Sequence, residues 1–155
     1  MSSTSEALKK YWQLQGIALN AGVSETDLAS FERKYKISLP QDFRDYLLTV
    51  NGFDSEHWTT DENVIAFLSL NEMQPLSEWW SAEIADSDSY FVFADHSMSV
   101  HVYAIHLSSG LADRNLVVVV YDNEPVNVAS SFSEFVEGYL ANDDAVLFPQ
   151  PGSVE

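Results

Sequence analysis

The hydrophobic period of this chain changes twice, and those changes fix its class of fold. Up to Val50, apolar residues recur three and four positions apart, as on one face of a helix. From Tyr90 to Ala129 they gather into β-branched and aromatic runs, and from Phe132 to Leu140 they return to helical spacing. Helices, then strands, then one helix imply an α+β fold rather than alternating β-α units. The expected architecture is a single domain: a central, mostly antiparallel (mixed) β-sheet flanked by N-terminal helices and one C-terminal helix. A chain of 155 residues buries roughly 68–70% of its unfolded surface, enough for one core without metal or disulfide.

Local signals place the elements. Ser3 and Glu6 suggest a capping box before a helix through Ala7–Leu14 that presents Leu8, Tyr11 and Trp12. Gly16 and Gly22 flank a loop. Ser24 and Asp27 mark the next N-terminus, with Val23 and Leu28 at hydrophobic-staple positions and Leu28, Phe31 and Tyr35 as the stripe. Pro40 fits the first position of a third helix carrying Phe43, Tyr46, Leu47 and Val50, with Asn51-Gly52 as its exit. Residues 54–63 read as a polar loop, Val64–Leu68 as a strand and Leu76–Ile84 as a helix. Strands follow at Tyr90–Ala94, Val100–Leu107, Leu116–Tyr121 and Val126–Ala129, the last two joined through a turn at 122–125. Ser131 and Glu134 form a capping box for a helix bearing Phe132, Phe135, Val136, Tyr139 and Leu140, which Asn142-Asp143-Asp144 ends. The domain is expected to span 1–148, with 149–155 a flexible tail.

Charge narrows the function. Seven Lys and Arg against 24 Asp and Glu give a net charge of −17, which opposes binding to nucleic acid or to an anionic membrane. Residues 1–44 carry six of the seven basic residues and a net +1, so residues 45–155 carry −18. Residues 54–88 hold nine acids and no Lys or Arg. Such a stretch is either a solvated surface or a face shaped for a basic partner. Read as a face, its candidates are Asp54, Glu56, Asp61, Glu62, Glu83, Asp86 and Asp88, with Trp58, Trp79 and Trp80 as apolar anchors. No export signal is visible and the longest apolar run is Leu116–Tyr121, so the expected location is the cytoplasm.

Catalytic and metal chemistry find little support. Without cysteine there is no thiol nucleophile, disulfide or Cys-ligated zinc. Phosphate-cradling and nucleophile-elbow glycine motifs are missing. His101 and His106 fall on opposite faces of one strand and cannot share an ion. His96 beside Asp95 is a conceivable acid–base pair, and His57 lies among four acids at a spacing that matches no metal loop. We expect no catalytic residue, no bound cofactor and no metal.

Three segments carry a resemblance: Ile37-Ser-Leu39-Pro40 running to Asn51-Gly52; Tyr90-Phe-Val-Phe93-Ala94-Asp95 with Val102–Ile105; and Val128-Ala129-Ser-Ser131-Phe132 to Val136. In this order, over about residues 24–140, they resemble the SUKH superfamily in its Smi/Knr-like branch. Phe53 stands where a second glycine often follows Asn-Gly, and Ser130 where an acid often precedes Ser-Phe. The resemblance implies a non-enzymatic domain with a mixed sheet. Many bacterial members are immunity-type proteins that bind and neutralise a cognate toxin, often a nuclease or deaminase. A fungal branch instead acts as a regulatory protein-interaction scaffold in cell-wall assembly. A basic toxin groove would complement the acidic composition here.

Overall fold

The computed structural model describes residues 3–54, 56, 59–79, 84, 86–96, 101–109, 115–121 and 124–149. Within them the chain runs α1 (Ser3–Leu14), β1 (Leu19–Ala21), α2 (Glu25–Tyr35), α3 (Gln41–Thr49), β2 (Val50–Phe53), β3 (Ile65–Phe67), α4 (Leu76–Trp79), β4 (Tyr90–His96), β5 (His101–His106), β6 (Val117–Tyr121), β7 (Glu124–Ala129), α5 (Phe132–Leu140) and α6 (Asp144–Leu147). Strands β3 to β7 form one sheet in sequence order, and β1 pairs with β2 in a second, smaller sheet. Every pairing among the described residues is antiparallel. The fold is α+β, as the change of period requires.

Sheet geometry divides the apolar residues into two layers. Tyr103 and Ile105 of β5, with Val117 and Val119 of β6, face the helices, while Val102, Ala104, Val118 and Val120 face the other way. A bulge between Val92 and Ala94 shifts the register of β4, so both Phe93 and Ala94 reach the helical side. On that side α1, α3 and α5 contact one another over the sheet. Phe43, Leu47, Phe132 and Phe135 are all buried there, as their spacing predicts. Leu76, Ile84, Trp79 and Tyr90 cover the opposite face. The inner strands are thus apolar on both sides, which is why Leu116–Tyr121 reads as a continuous run.

Capping follows the sequence signals closely in α2. The Ser24 hydroxyl accepts from the Asp27 amide at 3.1 Å and the Asp27 carboxylate accepts from the Ser24 amide at 3.2 Å. At α5 the Ser131 hydroxyl accepts from the Glu134 amide, but the Glu134 carboxylate reaches one residue further back, to the Ser130 amide at 2.8 Å. Arg44 on α3 ties α2 in place through Glu25 and through Glu32 at 3.2 Å.

Several boundaries differ from the sequence reading. Pro40 is the N-cap of α3, with extended backbone, and Gln41 is its first residue. Asn51-Gly52 is not a helical C-terminal cap: Val50 is already extended, and both residues lie in β2. The loop expected between Gly16 and Gly22 contains β1, whose partner is β2. Asn142-Asp143-Asp144 does end α5, but Asp143 then caps α6 by accepting from the Ala145 amide at 3.0 Å. Phe148 packs against His96, Pro149 is buried, and the tail expected over 149–155 lies outside the described residues from 150 onward.

Candidate functional site

A partner surface must be exposed, so the fate of each acid decides the question. Asp54 is half-buried, while Glu56, Glu62, Asp86 and Asp88 are exposed. Asp61 is 4% exposed and does not belong to the surface set. Its carboxylate accepts from the amides of Asn63 (2.8 Å) and Ile65 (2.9 Å) and from the Tyr139 hydroxyl. Tyr139 in turn accepts from the Trp12 indole at 2.8 Å. Asp61 is therefore a structural anchor joining α1, α5 and the turn before β3. Burial raises its pKa, against the lowering effect of its three hydrogen-bond donors. Burial, with Asp61 next, also pushes the Tyr139 phenol up.

Trp79 is half-buried and packs on the layer behind the sheet. Trp58, Trp80, Glu83 and His57 lie outside the described residues.

The described acids fall into two groups. Asp61 and Glu62 precede Ile65, whose register partner is His96 at the end of β4. Asp86 and Asp88 precede Tyr90 at its start, where the Asp86 carbonyl accepts from the Ser89 amide at 2.8 Å. Seven extended residues separate the two groups, about 20 Å at roughly 3.3 Å per residue. Proximity in sequence thus conceals two patches at opposite ends of a strand.

At the first of these ends the structure adds residues that the sequence reading left out. Tyr11 donates to the Glu62 carboxylate at 2.8 Å, and Gln15 accepts from the Glu62 amide at 3.1 Å. Burial and then Glu62 raise the Tyr11 pKa to about 12, so this donor keeps its proton. Asn63 donates to Asn142 at 3.0 Å, bringing exposed Asp143 and Asp144 alongside. Leu14 (78% exposed) and Val64 (46%) are the exposed large hydrophobic residues among those described. A sequence signal existed for Leu14. Six positions after Leu8, it lies about 120° around α1 from Leu8, beyond Tyr11 at the edge of the stripe.

The histidines divide between the two faces of the sheet. His101 lies on the helical side with Tyr103, and His106 packs edge-on against Tyr90 on the other, so these two stay apart. His96 stacks on His101 across the β4–β5 pair, with ring centroids 4.5 Å apart and planes 14° off parallel. Two parallel rings aim their in-plane lone pairs along separate lines, not at a common ion. Among the described residues no group of three or more His, Asp or Glu is placed to hold a metal. Tyr103 donates its proton to the Leu147 carbonyl at 2.8 Å, so His101 Nε2, 3.1 Å away, must carry the hydrogen of that contact.

This pair gives a pH signature. Burial first, and His96 second, lower the His101 pKa from 6.5 to about 4. As pH falls through 6.5 the unfolded chain takes up a proton that the native chain refuses until about 4. Stability from this site is complete above 6.5 and is lost across that window, by up to about 1.4 kcal/mol per pH unit. Urea unfolding near pH 7 and near about pH 4.5 should show a smaller acid loss in His101→Gln than in wild type. Equal losses in the two proteins would remove the assignment.

A cavity of about 270 Å³ opens beside α2, lined by Phe31, Leu70 and Met73, with Lys34 5.1 Å from the centre of the Tyr35 ring. Its charged residues are one cation and one acid, Lys34 and Asp27, so it has no strong preference for charge. No helix among the described residues is long and apolar enough to cross a membrane.

What the fold defines is a single α+β domain, and most of the described acids of residues 54–88 lie exposed on its surface. Residues 22–138 match the SMI1 / KNR4 family (SUKH-1), and the chain belongs to that family. Its members are generally non-catalytic immunity or regulatory proteins that work through a protein partner. No individually curated protein matches the chain.

Proposed function

We propose that this chain is an immunity-type protein that binds a cognate basic toxin, of the nuclease or deaminase kind, and neutralises it in the cytoplasm by occupying its substrate groove. The observation that carries this reading is the charge distribution within a SUKH-1 domain: residues 45–155 hold 19 acids and one basic residue. A groove built for phosphate is basic, and an acidic protein competes for it directly. The inhibitor needs no chemistry of its own, only stoichiometric occupancy.

The test uses the product of a toxin-type reading frame adjacent to the gene for this chain. Its expression alone should arrest growth, and co-expression of this chain should restore it. Purified together, the two should form a 1:1 complex by calorimetry. Association should slow about tenfold or more between 0.01 M and 0.1 M salt, as the Debye length shrinks from about 30 Å to about 10 Å. A complex that leaves toxicity untouched would point instead to a regulatory scaffold. No complex at all would overturn the reading.

A further inference from the structure

We infer that the partner seats on one end of the domain, where the last turn of α1 meets the turn entering β3, with Leu14 and Val64 as the apolar centre of the contact. This rests on the immunity-type reading above and gives it a location.

Residue placement makes the case. Leu14 closes α1, and Val64 lies two residues after Glu62, which is bonded to both Tyr11 and Gln15. The two exposed hydrophobic side chains are therefore carried by elements that touch. Acids lie beside them: Glu62 from the turn, bonded to Tyr11 and Gln15, and Asp143 and Asp144 through the Asn63–Asn142 bond. Lys10, one turn before Leu14, is the opposing charge on this stretch of α1. An apolar centre with a charged rim is the arrangement in which a few residues dominate binding while the rim steers approach. The surface that fits it is basic, with an apolar side chain projecting between its cations. The second acidic group, at Asp86 and Asp88, lies at the far end of β4 and is not part of this contact.

Val64 adds an independent argument. Its φ of 63° is left-handed, which a β-branched side chain rarely tolerates. The buried network holds it there. Asp61 accepts the amides on either side, from Asn63 and Ile65, and the Val64 amide donates to the Asp61 carbonyl at 3.0 Å. The fold thus maintains an unfavourable backbone that displays an apolar side chain to solvent, a combination of no benefit to the isolated domain.

Stability and binding should therefore respond in opposite directions. Asn tolerates the left-handed region, so Val64→Asn should raise the thermal midpoint by a few degrees while weakening toxin binding about tenfold. Leu14→Asp should leave the fold intact and weaken binding about 100-fold. Glu78→Lys, on the exposed side of α4, should change affinity by no more than about twofold. The probe is the purified product of the adjacent toxin-type reading frame, with affinities from calorimetry and midpoints from thermal unfolding. If wild type binds while Leu14→Asp and Val64→Asn bind within about twofold of it, this location is wrong and the immunity reading stands. If wild type itself does not bind, the functional reading fails and the proposed contact fails with it.

Discussion

Replacing Gly52 with alanine should cost about 3–5 kcal/mol and lower the thermal midpoint by roughly 10 °C. Two effects add. Gly52 has φ of 68°, and a side chain in that region costs about 1–2 kcal/mol. A Cβ there would also lie 2.4 Å from the Leu68 carbonyl oxygen and 2.8 Å from that of Phe67. Both are backbone atoms and cannot rotate away, so β2 would have to part from the chain leaving β3. Gly16 is the control. Its φ is 73°, but a Cβ there meets nothing within 4 Å. Gly16→Ala should therefore show the conformational cost alone, about 1–2 kcal/mol. Denaturant titration of the two variants separates strain from collision, and equal losses would show that the close approach at Gly52 contributes nothing.

Gly52 also shows how far the sequence could be read. A glycine after a helix is most simply a C-terminal cap, and the positive φ that this implies is present. What the sequence does not carry is the reason, because the crowding atoms belong to Phe67, the last residue of β3, and to Leu68 just after it. The elements that were legible have local causes. Ser24 and Asp27 cap α2 by bonds spanning three residues, and the stripe of α5 is complete within nine. Strands β4 to β6 announce themselves because both faces are apolar. By contrast, β1 and β2 have only three and four residues, and their order comes from each other.

The acidic stretch divides into two groups for a related reason. Nine acids within 35 residues suggest a continuous surface only if the chain between them stays local. Here it runs into β3, crosses behind the sheet through α4 and returns by β4, so its two ends part. What the composition does convey is the excess of acid over base from residue 45 onward. Leu14, Val64, Asp143 and Asp144 come from three separate stretches of sequence, and only the fold brings them together.

Removing the Asp61 carboxylate should cost about 3–5 kcal/mol, a large part of the roughly 5–15 kcal/mol that holds a domain of this kind together. Asp61→Ala leaves the Tyr139 hydroxyl and the Asn63 and Ile65 amides without their acceptor in a site closed to water. Tyr139→Phe should cost less, about 1–3 kcal/mol, because it strands one carboxylate oxygen and the Trp12 indole but leaves both backbone bonds. The two losses should not add, since both variants break the same contact, which spans 78 residues of sequence. Urea titration of the singles and the double supplies the cycle, and strict additivity would show that the Tyr139–Asp61 bond is energetically empty. The pH dependence has a definite sign. Burial raises the folded pKa of Asp61, so its contribution to stability is full below the unfolded value and is lost as pH rises through the folded one. Asp61→Asn should remove that component, giving a smaller rise in stability on acidification than wild type. The same network fixes the amides on both sides of Val64. Asp61→Asn, the milder change, should therefore weaken partner capture even where the protein remains folded, which links the stability of this buried carboxylate to the surface it displays.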